Sequence, residues 1–298
     1  MSEKYIKKEG AAVINIARYL MSQKAGARLR TIDSLAEEFE LSVGLVQKAL
    51  KKIEADGVIS LSRQGRNGTF ISRLDCIEVI RLAGLGHVVC AMPLPYTKHY
   101  EGLASGIKAQ MGSMPLYFAH MRGAGIRAKL LSSGVHDIAI MSKLAAQSYS
   151  DGLTVAINLG DNSYSHDHRV IFRKGEYDAI RRIGVDPDSP DQQILTEKAF
   201  PGKDIEIVEI NYGDSLVHLS NGDIDAVIGL TEALDMDSLG LAEKSLNHIP
   251  ECRMASEAVL LVRNGTPYVK TLLRNLINRE VLLTHQGKVI AGEVTPSY

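Results

Sequence analysis

The chain has 298 residues, of which 45% are hydrophobic and 23% charged, and its formal net charge is −1. This length allows about two domains of ~150 residues each. No apolar run approaches the ~18 residues of a membrane span, and MSEKYIKKEG lacks the apolar stretch of a secretory signal. We therefore expect a cytoplasmic protein with no membrane partner.

Charge is distributed unevenly along the chain. Residues 1–75 contain 13 Lys/Arg and 9 Asp/Glu, a net of +4, whereas the other 223 residues carry a net of −5. A basic N-terminal part on an acidic body favours a polyanionic partner for the basic part. The three cysteines, Cys76, Cys90 and Cys252, show no metal-ligand spacing, and we expect them to be small buried residues.

Residues 1–75 predict three helices followed by a hairpin. Apolar residues recur at helical spacing from Val13 to Leu20 and define the first helix. Thr31 is a candidate N-cap of a short second helix, and Ser42 is one for a third helix, which Gly57 ends. The strands VISLS and TFIS flank the Gly-rich turn RQGRNG. This order predicts a winged helix-turn-helix whose third helix fits a DNA major groove.

The candidate DNA-binding residues lie around the two N-caps, on the third helix and in the hairpin. Lysines, arginines and the N–H groups of helix N-termini contact phosphate, and Gln47 is suited to an adenine edge. The predicted set is Arg28, Arg30, Thr31, Ser42, Gly44, Gln47, Lys48, Lys51, Arg63, Arg66 and Asn67. The alternative is a winged helix used only for protein contacts, because charged helix faces are usually solvated surface.

Residues 31–70 resemble the winged helix of GntR-type transcription regulators. The matching positions are Leu35, Ala36, Ser42, Val46, Ala49, Leu50, Gly57, Gly65, Gly68, Thr69 and Phe70. Val43, Leu45 and Gln47 stand where that family has Arg, Thr and Arg, so two charged contacts are missing. The resemblance implies double-stranded DNA as a partner. The winged helix of one chain, residues 1–75, is called the head below. Because one head would cover one half of a two-fold symmetric DNA site, we expect a homodimer or higher homo-oligomer.

Strand-like and helix-like segments alternate after residue 75. Strands are predicted for HVVCAMPLP, PLYFAHM, DIAIMS, TVAINL, RVIFRKG, IEIVEINY, DAVIGL and EAVLLVRNG. Helices are predicted for YEGLASGIKAQM, GIRAKLLSS, ILTEKAF and DSLVHLS, and one long closing helix for VKTLLRNLINREVLL. This alternation predicts parallel sheets with crossover helices.

Two short repeats predict that this body consists of two similar lobes. LSSGVHDIAI at 131–140 returns as LSNGDIDAVI at 219–228, and IFRKG at 171–175 returns as LVRNG at 261–265. The first repeat predicts a helix end, a glycine C-cap and a turn held by Asp before a buried strand. We interpret Asp137 and Asp225 as framework residues. The second repeat is expected where the chain passes between the lobes.

This layout resembles the type 2 periplasmic-binding-protein fold, which also forms the effector-sensing domain of LysR-type regulators. A GntR-like head on such a body resembles the YhfZ family. The expected α/β architecture is an N-terminal winged helix-turn-helix at 1–75, followed by a two-lobed type 2 periplasmic-binding-protein-like domain at 76–298. Lobe I comprises 76–168 and 259–298, and lobe II comprises 169–258.

The strand ends of the two lobes predict a ligand site, because open α/β sheets bind ligands beyond the carboxyl ends of their strands. Arg122, beside a helix N-terminus, is suited to a carboxylate or phosphate, so we expect a small anionic metabolite as effector. A salt bridge is the alternative role of Arg122. The candidate ligand-binding residues are Pro95, Tyr96, Arg122, Gly123, Ser142, Asp188, Ser189, Tyr212, Gly213 and Thr231.

No familiar catalytic, phosphate-binding or metal motif occurs in the sequence. It lacks G-x-S-x-G, the P-loop and H-E-x-x-H, and LAGLGHVV precedes a strand instead of following one. His166 and His168 resemble half of a metal site, but no further ligand lies near them at a suitable spacing. We predict no cofactor, no metal site and no catalytic residue.

These patterns together predict a ligand-responsive DNA-binding transcription regulator, not an enzyme. Closure of the two lobes on an effector would reposition the DNA-binding heads. Two alternatives stay open. One is an enzyme acting on a small metabolite in the same cleft, and the other is a ligand-binding protein that does not bind DNA.

Overall fold

A computed structural model of the chain describes residues 7–112, 114–232 and 234–298. Contacts within the chain divide it into two compact units. One unit contains the N-terminal helices, extends to Val88 and includes Pro267–Asn275. The other contains two five-stranded sheets with their helices.

The predicted winged helix-turn-helix is confirmed. Its elements are α1 (Lys8–Met21), α2 (Ile32–Glu38), α3 (Val43–Ala55), β1 (Ile59–Arg63) and β2 (Thr69–Leu74). Both α1 and α2 pack against α3, and β1 pairs with β2 in antiparallel orientation. The buried residues at helical spacing include Ile16, Leu20, Leu35, Val46, Leu50 and Ile53. The three helices therefore share one small hydrophobic core.

Side-chain caps explain where α2 and α3 begin. Thr31 Oγ1 accepts the N–H of Ser34 at 3.2 Å, and Ser42 Oγ accepts the N–H of Leu45 at 3.3 Å. Both N-caps were predicted from sequence, and such a cap stabilises a helix by ~1 kcal/mol. The Ser42 cap therefore determines the residue at which α3 begins.

The first compact unit continues beyond the wing. Asp75 caps helix α4 (Cys76–Leu82), which packs against α1, and α11 (Pro267–Leu276) also belongs to this unit. The Arg18 guanidinium lies 5.4 Å from the centre of the Tyr268 ring. The compact unit therefore includes α4 together with the winged helix. Cys76 is exposed at the start of α4, contrary to prediction, whereas the other two cysteines are buried.

Each lobe of the body is built on one five-stranded sheet. The first sheet contains β3 (Val88–Met92), β4 (Leu116–His120), β5 (Ile138–Ser142), β6 (Leu153–Asn158) and β12 (Ala258–Arg263), in the order β4-β3-β5-β12-β6. The second contains β7 (Arg169–Arg173), β8 (Arg182–Val185), β9 (Glu206–Glu209), β10 (Ala226–Gly229) and β11 (Leu241–Ser245), in the order β9-β8-β10-β7-β11.

The two sheets have matching topologies. In each, the strand that arrives from the other lobe, β12 or β7, is antiparallel to both neighbours. The pairs β3–β5, β8–β10 and β8–β9 are parallel. The two arriving strands carry the LVRNG and IFRKG repeats, which therefore stand where the chain passes between the lobes, as predicted.

Among the described residues, seven α-helices accompany the two sheets. They are α5 (Lys98–Gln110), α6 (Ala124–Ser132), α7 (Lys143–Gln147), α8 (Pro190–Ala199), α9 (Ser215–Asn221), α10 (Pro250–Ser256) and α12 (Arg279–Ile290). Helix α5 packs against α12. Over the residues that the structure describes, no helix has both the length and the apolar character that membrane crossing requires.

Several short elements escaped the sequence prediction. Helices α4, α7 and α10 have five to seven residues, which is too short to show a helical period. The predicted closing helix is wrong as a single element, because it divides into α11 and α12. The break occurs at Asn278, whose side chain accepts the N–H of Val281 and caps α12.

The repeated turn has the same construction in both lobes. Gly134 and Gly222 each have φ of +78°, a left-handed conformation that favours glycine. Asp137 Oδ2 accepts the N–H of Val89 at 2.9 Å, and Asp225 Oδ2 accepts the N–H of Arg182 at 2.8 Å. The aspartates are framework residues, but their carboxylate bonds to backbone N–H groups, over the described part of the chain, go to the neighbouring strand and not to the turn itself.

In each lobe, the arginine of the IFRKG or LVRNG repeat packs on the Gly-x-x-Asp turn of the other repeat. Arg173 Nη1 donates to the carbonyl oxygens of Leu219 and Ile224, at 2.7 Å each. In the other lobe, the Arg263 guanidinium lies over Gly134, where it would collide with a Cβ atom. Each lobe therefore places an arginine from its arriving strand against its Gly-x-x-Asp turn, which explains why both motifs recur.

Candidate functional site

A cavity of about 300 Å³ lies between the two lobes of the body. Its walls come from chain segments that follow the carboxyl ends of β3 and β4 in the first lobe, and of β8, β9 and β10 in the second. This is the position expected for a ligand site in α/β sheets.

Six of the ten predicted ligand-binding residues line this cavity, and four do not. The lining residues are Tyr96, Arg122, Gly123, Ser189, Tyr212 and Gly213. The residues outside the lining are Pro95, Ser142, Asp188 and Thr231. At Pro95 and Thr231 the chain turns, and the neighbours Leu94, Tyr96, Leu230 and Glu232 supply the wall instead.

Ser142 and Asp188 have structural roles behind the cavity wall. Ser142 is fully buried; its Oγ accepts the N–H of Ala145, capping α7, and donates to Asp191 Oδ1 at 2.7 Å. Asp188 packs against Gly123, where an added Cβ atom would lie 2.7 Å from Asp188 Cβ. The sequence could not exclude either position, because Ser142 ends β5 and Asp188 lies in the loop between β8 and α8.

An ion pair crosses the cleft. Arg122 Nε in the first lobe lies 3.5 Å from Asp186 Oδ2 in the second. Asp186 is buried and also accepts the backbone N–H groups of Asp188 and Tyr212. Within the part of the chain that the structure describes, the buried Arg122 Nε makes no hydrogen bond. The sequence prediction named Asp188 in this loop and not Asp186, although Asp186 directly follows β8.

A second arginine, Arg127, lies on the cavity wall and was not predicted. It is 3% exposed, and its guanidinium donates to the carbonyl oxygens of Ile140 and Met121 and to the Tyr164 hydroxyl. These three bonds hold Arg127 in place. In GIRAKLLSS, no local signal distinguishes an arginine that points inward from one that points to solvent.

Asp191 faces the same cavity from the first turn of α8. Burial raises the pKa of the Asp191 carboxyl to about 6, and the hydrogen bond from Ser142 and the charge of Arg127 only partly oppose this effect. The Ser142–Asp191 bond joins the two lobes. Ser189, the N-cap of α8, was a signal in the sequence for the start of this helix. No local pattern predicts that Asp191 turns into the cavity.

Aromatic side chains form two pairs in the cavity wall. Tyr96 and Tyr212, both among the predicted ligand-binding residues, meet edge to face with ring centres 5.9 Å apart. Tyr100 and Tyr164, which were not predicted, have ring centres 4.8 Å apart. Rings and hydroxyls together provide a surface that is apolar with a few polar positions, as small-molecule sites usually are.

The histidines at 166 and 168 do not share a site. His168 is buried in the cavity wall, and burial lowers the pKa of its imidazole to about 4. His166 is exposed and turns toward His99 and Glu232. The fold brings His99 and Glu232 from distant parts of the sequence to His166, a proximity that spacing along the chain does not reveal.

The predicted DNA-binding residues all lie on the surface of the head. The exposed positions are Arg28, Arg30, Thr31, Ser42, Gly44, Gln47, Lys48, Lys51, Arg63, Arg66 and Asn67. Gln47, Lys48 and Lys51 project from the outer face of α3, and Arg66 and Asn67 lie in the turn between β1 and β2.

Several of these cations pair with acidic side chains of the head. Lys48 Nζ lies 2.6 Å from Glu9, Arg63 lies 2.7 Å from Glu54, and Arg30 pairs with Glu38. Among the residues that the structure describes, Lys51 and Arg66 form no ion pair. The head therefore presents both paired and unpaired positive charge.

Arg28 lies in the connection between α1 and α2 and is placed there by the wing. It forms an antiparallel bridge with Phe70 of β2. A Cβ atom at Gly68, where φ is +96°, would lie 2.8 Å from Arg28 Nε. The positive φ of Gly68 therefore favours glycine at this position, whereas the exposed Arg28 side chain is a flexible neighbour.

The fold of the body is shared with known ligand-binding proteins. A substrate-binding protein of an amino acid ABC transporter from Streptococcus pneumoniae Canada MDR_19A, solved with L-arginine, superimposes with a TM-score of 0.51 at 15% identity. The match covers 72% of this chain and 97% of that chain. The body therefore has the periplasmic-binding-protein-like fold, as predicted.

Family profiles match nearly the whole chain. Residues 24–71 match a helix-turn-helix domain, and residues 75–298 match the YhfZ C-terminal domain. The closer kinship of the head to GntR-type regulators stays a prediction. YhfZ of Escherichia coli (strain K12) is 45% identical over 301 residues, covering 100% of both chains. The crystal structure of YhfZ from Shigella flexneri, 45% identical, covers 72% of this chain and 94% of that chain with a TM-score of 0.64. The chain belongs to the YhfZ family.

Proposed function

We propose that the protein is a ligand-responsive DNA-binding transcription regulator whose effector binds between the two lobes. The observation that carries this proposal is the presence, in one chain, of a helix-turn-helix with an exposed cationic α3 and a cleft that contains Arg122. Kinship to GntR-type regulators and assembly into a homodimer are parts of the proposal.

The surface of α3 is suited to duplex DNA. Lys51 and Arg66 present unpaired charge, and the exposed N-terminus of α3 at Ser42 and Gly44 offers backbone N–H groups to a phosphate. The ion pairs of Lys48 and Arg63 are no obstacle, because exposed pairs contribute only about 0–1 kcal/mol and exchange readily for phosphate.

Fluorescence anisotropy with a labelled duplex of mixed sequence, at several salt concentrations, tests DNA binding. Each phosphate contact that is lost lowers the slope of log K against log salt by ~0.9. We expect Lys51→Ala and Arg66→Ala each to lower the slope by about 1 and their double variant by about 2. Lys174→Ala, an exposed lysine of the body, is the matched control. Absence of duplex binding by the wild type at low salt would refute the DNA-binding part.

Arg122 is the proposed docking point for an anionic group of the effector. Its Nε is buried beside the cavity and lacks a hydrogen bond within the described residues, while Asp186 at 3.5 Å balances its charge. A carboxylate or phosphate would satisfy this donor. Asp191 and Glu232 also line the cavity. The site therefore favours a small metabolite that carries an anionic group and, opposite it, a cationic one.

Ligand binding is tested in two steps. A thermal-shift screen of amino acids, dicarboxylates and sugar phosphates identifies a ligand, and isothermal titration then measures its affinity. A hydrogen bond to a charged group contributes about 1.5–3 kcal/mol, so Arg122→Ala should weaken binding at least ~10-fold. Arg253→Ala, which removes an exposed arginine paired with Asp161, should leave affinity unchanged. Equal affinities for both variants would remove Arg122 from the site.

Regulation requires that the two sites influence each other. An effector that changes the affinity for DNA by some factor must itself bind the DNA complex with affinity changed by the same factor. Anisotropy with and without effector, and titration of effector with and without duplex, measure both sides of this equality. Sedimentation velocity of the free protein and of the DNA complex tests the proposed homodimer.

A further inference from the structure

Three potential metal ligands from separate parts of the body meet beside the cleft. His99 lies in the first turn of α5 in the first lobe, His166 lies in the segment between the lobes, and Glu232 follows β10 in the second lobe. One ring nitrogen of each histidine and one carboxylate oxygen of Glu232 all lie within 4.8 Å of one another. The positions are 67 and 66 residues apart along the chain, so only the fold brings them together.

The spacing of these atoms is close to that of a tetrahedral metal site. Zinc binds histidine nitrogen and carboxylate oxygen at about 2.0–2.2 Å, which places neighbouring ligand atoms roughly 3.3 Å apart. His99 Nδ1 and Glu232 Oε2 are already 3.2 Å apart. The His166 ring is exposed and meets the His99 ring edge to face with centres 4.5 Å apart, and one of its nitrogens lies within 4.8 Å of the other two ligand atoms.

We propose that His99, His166 and Glu232 bind one divalent transition-metal ion, zinc by preference. Two imidazoles and one carboxylate form a donor set that zinc uses with a fourth position left open. Softer thiolate ligands are absent from this cluster, and harder ions such as calcium prefer six to eight oxygen ligands. The donor types and their number therefore select a transition metal.

Neighbouring contacts hold two of the ligands in place without a metal. His99 is 1% exposed, and its carbonyl oxygen accepts the buried side-chain N–H of Gln286 at 3.0 Å. Glu232 Oε1 accepts the backbone N–H of His166 at 3.3 Å, so the carboxylate is oriented by the same segment that carries a ligand. Such outer contacts fix ligand orientation in metal sites.

The site would connect metal availability with the cleft. Glu232 lines the interlobe cavity as well as the cluster, so a bound ion would lie at the edge of the effector site. Its ligands come from both lobes and the segment between them. Metal binding would therefore favour the arrangement in which the lobes are close, whatever the identity of the organic effector.

Zinc titration of the full-length protein, without a histidine tag and after removal of metal by a chelator, tests the proposal. We expect one equivalent to bind, and the cobalt form to show visible absorption of tetrahedral intensity. Even outer-shell losses cost 10–100-fold in affinity, so His166→Ala and Glu232→Gln should each weaken binding at least about 100-fold. His248→Ala, which removes an exposed histidine elsewhere in the second lobe, should bind as the wild type does.

The outcomes separate this proposal from the proposed function. No uptake of zinc by the wild type, or equal affinity in His166→Ala, Glu232→Gln and His248→Ala, overturns the metal site. Neither DNA nor an organic effector is present in the assay, so that result leaves the regulator proposal standing. Because His166 is exposed, its replacement should not affect folding, and thermal unfolding of each variant without metal verifies this.

Discussion

Asp225 is the residue whose replacement most directly tests the account of the repeated turn. Its carboxylate accepts the backbone N–H groups of Arg181 and Arg182, at 3.1 and 2.8 Å. It also accepts guanidinium N–H groups of Arg182 at 2.8 Å and Arg173 at 3.1 Å. Asp225→Asn preserves the shape of the side chain but removes its charge and replaces one of the two acceptor oxygens with an NH2 group, which cannot accept these N–H groups.

The pKa of Asp225 supplies the expected magnitude. Burial by itself raises the pKa, but the hydrogen bonds from Arg182, Arg181 and Arg173 outweigh burial and lower it to about 2. The ordinary value is about 3.9, and each pKa unit corresponds to about 1.4 kcal/mol, so the ionised carboxylate stabilises the fold by roughly 2.5 kcal/mol. Because the folded-state pKa is depressed, this stabilisation is complete above about pH 4 and disappears as the pH falls toward 2.

Urea unfolding at pH 7 measures this contribution. We expect Asp225→Asn to lower the free energy of unfolding by about 2–3 kcal/mol. The matched control is Asp223→Asn, two residues away, whose side chain is 52% exposed and pairs only with His218 among the contacts the structure describes. An exposed pair contributes about 0–1 kcal/mol, so the control should be close to wild type. If the two variants unfold at the same urea concentration, Asp225 does not hold the lobe together as argued.

Two further substitutions test the interior of the body. Asp191→Asn should stabilise the fold by up to about 3 kcal/mol at pH 8, because the raised pKa of Asp191 makes ionisation of the wild-type carboxyl costly. This gain should shrink as the pH falls from about 6 to about 4, where the wild-type carboxyl is protonated in the folded protein. Urea unfolding measured at several pH values across this range tests both expectations. Gly102→Ala should destabilise by about 1–3 kcal/mol, since its Cβ would lie 3.0 Å from Gln286 Cα where α5 crosses α12. Gly287→Ala on the same α12 meets open space and should be neutral or stabilising by up to ~1 kcal/mol, so equal melting temperatures for the two glycine variants would contradict this packing.

The head was predictable because its signals are local. An N-cap such as Thr31 or Ser42 and its N–H partner are three residues apart, and the buried face of α3 repeats at 3.6 residues. The doubled turn was readable for the same reason, since a left-handed glycine and an aspartate stand within a few residues of each other. These local signals were sufficient to predict the winged helix and the two lobes.

The cleft was predictable only in part. Strand ends place Tyr96, Arg122 and Tyr212 at its wall, because parallel strands end at a common edge. Which side chain of each loop turns inward depends on packing behind the loop. Ser142 is buried behind the wall, whereas Arg127 lines the cavity. No local sequence pattern distinguishes an inward-pointing arginine such as Arg127 from one that points to solvent.

Local patterns along the chain were enough to predict the order of elements, the helix caps, the cationic face of α3 and the duplication of the body. The meeting of Arg122 with Asp186 across the cleft, and of His99 with His166 and Glu232, became visible only in the folded protein. The difference lies in how far apart the partners stand along the chain. Backbone geometry and hydrophobic period act over a few residues, whereas these contacts join side chains that many crossovers separate, and their distances follow from how two sheets and their helices pack.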